Sequence, residues 1–124
     1  MTVDPGLYQL IVRLPKACDI SVGLHGRFSF HAGYYVYTGS AKRGLESRIS
    51  RHLRKRKKLR WHIDYLLRYG EIIAVKRYGN ILSECGLNRR VERLPGSRII
   101  VAGFGSSDCR CPAHLLYFER NPSF

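Results

Sequence analysis

Positions 6–14 alternate in side-chain character. Leu7, Gln9, Ile11 and Arg13 fall on one side, and Tyr8, Leu10, Val12 and Leu14 on the other, so the segment predicts a strand. Pro15 lacks a backbone donor and stops it. A short hairpin follows, turning at Leu24-His25-Gly26-Arg27, with Phe28 and Phe30 on one face of the returning strand. The aromatic and β-branched run 34–38 predicts the next strand, ending at Gly39-Ser40. The period then changes. Leu45, Ile49 and Leu53 recur every four residues and predict a helix over 44–58 with those three on its buried stripe. A second helix over 61–68 buries Ile63, Leu66 and Leu67, with Gly70 as its C-terminal cap. Residues 72–78 alternate as a strand, 81–94 pattern as a third helix, Pro95-Gly96 breaks the chain, and 98–104 predicts another strand. A Gly/Ser/Asp/Cys loop leads to the apolar stretch Leu115-Leu116-Tyr117-Phe118.

These elements describe a small α+β fold: a mostly antiparallel central sheet flanked by helices, with a hairpin inserted near the N-terminus. At 124 residues, without repeat, linker or low-complexity segment, the chain reads as one domain over 1–124. No apolar run exceeds five residues, which excludes a membrane-spanning helix. The N-terminus is acidic and interrupted by Pro5, unlike a secretory signal, so a cytoplasmic protein is expected. In that compartment Cys18, Cys85, Cys109 and Cys111 are thiols or metal ligands rather than a disulfide framework.

Charge narrows the function classes. The 22 Lys and Arg against 9 Asp and Glu leave a net +13, which calls for a polyanionic partner. Nucleic acid is the first candidate, although an anionic membrane surface or a heparin-like polymer satisfies the same arithmetic. Ten of the cations stand between Lys42 and Arg60 against one acid, Glu46. Such a ridge suits a phosphate backbone, with Lys42, Arg43, Arg51, Arg54, Lys55 and Lys58 as contacts; a merely solvated helix face is the plainer alternative.

Within the ridge, Arg48 and His52 are one helical turn apart, which sets a guanidinium beside an imidazole. One holds phosphate and neutralises developing charge, and the other relays a proton. Tyr8 and Tyr37, read alone, are strand aromatics that pack with the hydroxyl at the rim. Taken together, Gly6-Leu7-Tyr8, Tyr37-Thr38-Gly39, Ser40-Ala41-Lys42 and Arg48-x-x-x-His52 resemble the GIY-YIG nuclease superfamily, in particular its small stand-alone Uri-superfamily endonucleases. Trp61-His62-Ile63-Asp64-Tyr65, Glu84-Cys85 and the 103–109 loop resemble signatures of that subfamily, so the similarity spans nearly the whole chain.

The resemblance implies a divalent-metal-dependent endonuclease acting on DNA, and the sequence leaves open whether RNA is also accepted. By that resemblance Tyr37 serves as, or relays to, the general base, and Tyr8 orients the phosphate or the water. Arg48 stabilises the transition state with help from His52, and Glu84 holds one Mg²⁺ or Mn²⁺. Glu92, eight residues further along, is the other carboxylate for that role, while the family's late asparagine has no clear counterpart, Asn88 being a poorly placed candidate. The long segment between Tyr8 and Tyr37 requires the inserted hairpin. The alternative function is a non-catalytic nucleic-acid-binding or DNA-repair accessory domain on the same fold, which needs only the cations.

Cys109-x-Cys111-x-x-His114, with Cys85 elsewhere, offers four soft ligands of the kinds Zn²⁺ takes. The spacing matches no common zinc ribbon or finger and one ligand must come from another element. Buried thiols, or a polar loop bordering the site, are therefore favoured over structural zinc. His62 and Asp64 lie on different faces of a helix; one of them lining the site and a capping or structural hydrogen bond are both open readings.

Overall fold

The computed structural model describes residues 6–78, 83–106 and 111–122. Four antiparallel strands form the central sheet in the order β5-β1-β4-β6, where β1 is Gly6–Leu14, β4 Gly33–Ala41, β5 Glu71–Tyr78 and β6 Leu115–Phe118. Strands β2 (Cys18–Ser21) and β3 (Arg27–Phe30) make a separate hairpin, joined through a 3₁₀ turn at Gly23–His25. Helices α1 (Leu45–Leu53), α2 (His62–Leu67) and α3 (Glu84–Glu92) complete the expected α+β architecture with its inserted hairpin.

The alternation in β1 sorts the core into two layers. Tyr8, Leu10, Val12 and Leu14 join Tyr35 and Tyr37 of β4 on one face, covered by Leu45 and Ile49 of α1, Ile63 and Leu66 of α2, and Phe30 of the hairpin. Ile11, Val36, Leu116 and Phe118 form the opposite face, against Val91 of α3. Because both faces are covered, β1 and β4 are buried almost throughout. Strand β4 runs on through Gly39 and Ser40 to Ala41, beyond its expected end, because β1 offers partners as far as Gly6 opposite Ala41.

Two expectations fail, for physical reasons. Helix α1 stops at Leu53 instead of 58, and Leu53 is 52% exposed rather than on the buried stripe. Its two anchors, Leu45 and Ile49, each contribute roughly 1.5–3 kcal/mol by burial. Residues 54–58 bring no apolar anchor, only like charges that disfavour a helix by a few tenths of a kcal/mol for each i,i+4 pair. Arg54 turns extended (φ −70°, ψ 134°), and the Lys57 ammonium folds back onto the carbonyls of Arg51 and His52 at the helix C-terminus. The strand expected over 98–104 is likewise absent. Arg98 forms one bridge to Tyr117, after which Val101 and Phe104 turn inward to full burial. Gly103 and Gly105, at φ +78° and +69°, make the turns that bring them there.

Helix α3 is shorter than 81–94; positions 81 and 82 lie outside the described residues. Among the described residues no helix is long and apolar enough to cross a membrane.

Candidate active site and nucleic-acid interface

The end of the sheet where β1 begins and β4 finishes opens into a polar cleft of about 280 Å³. Tyr8, Tyr37, Gly39, Ser40, Arg48, Arg60, Trp61, His62, Glu84 and Gly105 line it. Of the residues assigned to chemistry from sequence, Tyr8, Tyr37, Arg48 and Glu84 all reach this space, and His52 stands directly behind Tyr8.

Register brings the tyrosines together. Tyr8 pairs with Gly39 and Leu10 with Tyr37, so the two rings occupy neighbouring positions on one face, 6.3 Å apart. A side chain at 39 is excluded, since a Cβ there would lie 2.6 Å from the Tyr8 ring and hydroxyl. His52 comes from the last turn of α1, its Nε2 2.7 Å from the Tyr8 hydroxyl and its ring 6.2 Å from that of Tyr37. It is 2% exposed, and burial pushes its pKa down to about 4, so the imidazole is neutral near pH 7. Burial also raises both phenols above their ordinary range. A neutral imidazole against a protonated phenol is therefore the resting state of the Tyr8–His52 pair.

Arg48, one turn before His52, spans the cleft wall. One guanidinium nitrogen donates to the Ser40 carbonyl and its Cζ sits 4.9 Å from the Trp61 ring centre. Ser40 and Glu84 meet because β4 alternates: Tyr37 and Gly39 face α1, while Ser40 faces α3. The Ser40 hydroxyl donates to Glu84 Oε1, and His114 Nδ1 lies 2.5 Å from Oε2. Burial alone would raise the Glu84 pKa, but the bonds from His114 and Ser40 and the nearby Arg48 charge hold it below the usual carboxylate value. Glu84 is also the first residue of α3, where the helix dipole favours a negative charge. Its carboxylate is thus ionised, oriented and 29% exposed towards the cleft. A divalent cation fits it, since such ions bind through one carboxylate with waters and substrate phosphates, and each oxygen keeps lone pairs beyond its present bond.

Glu92, the alternative carboxylate, accepts from Asn88 one helical turn away and does not line the cleft. Asn88 is core structure, its amide also tied to the Ala113 carbonyl at 2.6 Å. His62 lines the cleft and accepts from the Gly105 amide at 2.9 Å, whereas Asp64 takes the capping role. Asp64 receives the amides of Arg60 and Trp61 and both arms of Arg51, at 2.8–3.1 Å. Burial works against its charge, and those bonds still hold its pKa low.

The cations divide accordingly. Lys42, Arg43, Arg54, Lys55 and Lys58 are exposed, and none of them lines the cleft itself. Arg51, grouped with them from sequence, is 16% exposed and spent on Asp64, so it is a structural tie rather than an open phosphate contact. Sequence reasoning gave no site role to Ser40, Trp61, Arg60 or Gly105, and did not connect His114 to Glu84. For Ser40 a signal was present, because strand alternation puts it opposite Tyr37 and Gly39. His114 had none, being brought by a loop.

Cys85, Cys111 and His114 also converge, their ligand atoms within 4.8 Å of one another; Cys109 lies outside the described residues. Nothing among curated proteins and nothing among solved structures matches this chain. Residues 7–124 match the family described as domain of unknown function DUF123, and the chain belongs to that family.

Proposed function

We propose that this protein is a divalent-metal-dependent endonuclease that hydrolyses phosphodiester bonds in DNA. The observation that carries the reading is the meeting of Tyr8–His52, Arg48 and an ionised Glu84 in one cleft beside an exposed cationic ridge. A binding surface alone has no use for a buried imidazole against a phenol. The ridge draws the backbone in, and Arg48 lies where its guanidinium can grip the attacked phosphate and meet its developing charge. The Tyr8 oxygen takes a proton from the attacking water as the phenol proton passes to His52 Nε2. Geometry supports Tyr8 for this relay, with Tyr37 beside it orienting the water, the reverse of the roles the family resemblance implies. Glu84 would hold one Mg²⁺ or Mn²⁺, which supplies Lewis-acid polarisation of the phosphoryl oxygen.

End-labelled duplex, flap and single-stranded DNA incubated with Mg²⁺, Mn²⁺ or EDTA test this. Cleavage is expected only with metal, and Arg48→Ala should lower the rate by about 10²-fold or more. Glu84→Gln should abolish metal dependence along with activity. Cutting that persists in EDTA, or in both variants, overturns the reading. The alternative is a non-catalytic nucleic-acid-binding or repair-accessory domain. It draws support from the internal bonds that already occupy Arg48 and Glu84. Salt-sensitive binding without cleavage under any metal would select it.

A further inference from the structure

Beside Glu84, the start of α3 meets the segment leading into β6. Cys85 comes from the helix, Cys111 and His114 from the segment, and their ligand atoms lie within 4.8 Å of one another. Cys111 and His114 are 7% and 1% exposed, so the cluster is largely dry. The segment is held from three sides. Gly103 N–H donates to Pro112 O, Asn88 to Ala113 O, and Thr38 N–H to His114 O. A pre-built scaffold therefore presents two sulfurs and an imidazole to one point.

We propose that Cys85, Cys111 and His114 provide three of the four ligands of a single Zn²⁺. Two geometric features support it. Cys85 Sγ and His114 Nε2 are 3.8 Å apart, against about 3.6 Å for a sulfur and a nitrogen sharing one tetrahedral zinc. Independently, the other ring nitrogen of His114, Nδ1, lies 2.5 Å from the Glu84 carboxylate. A carboxylate behind a histidine selects the tautomer with Nδ1 protonated and leaves the Nε2 lone pair for a metal. Thiolate ligands select zinc over the hard Mg²⁺ or Mn²⁺, so this centre is chemically separate from Glu84. It also has a consequence for the cleft. With Nε2 on the metal, the second ring nitrogen would stay beside the Glu84 carboxylate and help to hold its orientation. The metal centre itself stands whether or not the nuclease reading does.

Elemental analysis of the full chain, purified without chelator and under reducing conditions, should find about one zinc per molecule. Cys85→Ser and Cys111→Ser should each lose most of it. Exchange of the wild-type metal for Co²⁺ should give a thiolate-to-cobalt charge-transfer spectrum, which decides the matter even where a variant fails to fold. Three results would overturn the proposal. They are wild-type protein that stays metal-free after incubation with excess Zn²⁺, zinc retained in both variants, or a cobalt spectrum without thiolate bands. None of these readouts involves DNA cleavage, so failure here and failure of the nuclease reading are separable.

Discussion

His52 shows what burial does to one side chain and how that reaches stability. Exposed in the unfolded chain, it takes up a proton as pH falls below about 6.5; folded, it resists until about 4. The unfolded state therefore binds the extra proton first, and stability contributed by the neutral buried ring is lost as pH drops from 6.5 towards 4. The loss should approach roughly 3 kcal/mol at the bottom of that window. Urea unfolding of wild type and His52→Gln across pH 4–7 checks it. The wild-type curve should fall more steeply by that amount, and parallel curves would show that His52 is not buried neutral. The candidate pair Arg48 and His52 was legible as i and i+4 on one helix. That His52 would meet Tyr8 rather than Tyr37 was not, because a hydroxyl-to-ring distance depends on where α1 docks on the sheet.

At the scale of elements, the connection from α1 to α2 carries the densest positive charge and contains no regular structure of its own. Asp64 organises it. This one fully buried carboxylate caps α2 through the Trp61 amide, fixes the Arg60 amide and pairs bidentately with Arg51 of α1. Trp61 is wedged among the guanidinium groups of Arg48, Arg51 and Arg60, at 4.4–5.9 Å from its ring centre. Asp64→Ala should therefore cost about 3–5 kcal/mol, the toll of stranding a partly buried charge, and shift the urea midpoint with little change in slope. A wild-type midpoint would mean the pair is not holding the two helices. The expectation of helix to residue 58 missed this arrangement. Propensity and periodicity cannot register that Lys57 caps a helix which has already ended, or that Arg51 is taken by an acid thirteen positions on.

Across the whole molecule the net charge is +13, and the densest run of cations, ten between Lys42 and Arg60, includes Arg48 and Arg60 of the cleft lining. If the ridge carries the nucleic acid, exposed and internally engaged cations should behave differently. Replacing both Lys55 and Lys58 by Ala should weaken DNA binding at all sequences. It should also reduce the slope of log K against log salt by about 2, with thermal stability unchanged. Arg51→Ala should instead lower stability through Asp64. Fluorescence anisotropy titrations between low and moderate salt check the slope; an unaltered slope in the double variant would remove those two residues from the interface.

The order of elements, the inserted hairpin and the two faces of β1 follow from local alternation, which each segment carries in its own residues. Tyr8, Tyr37, Arg48 and Glu84, which reach one cleft, were named through the family resemblance rather than by residue type, since strand tyrosines read alone as packing. Only the tertiary structure decided which groups touch. The β1–β4 register sets Tyr8 over Gly39, and α1 docking delivers His52 to Tyr8. A turn-built loop carries His114 to Glu84 and Cys85. Those contacts join residues far apart in sequence, and no pattern within a single segment encodes the distance between two of them.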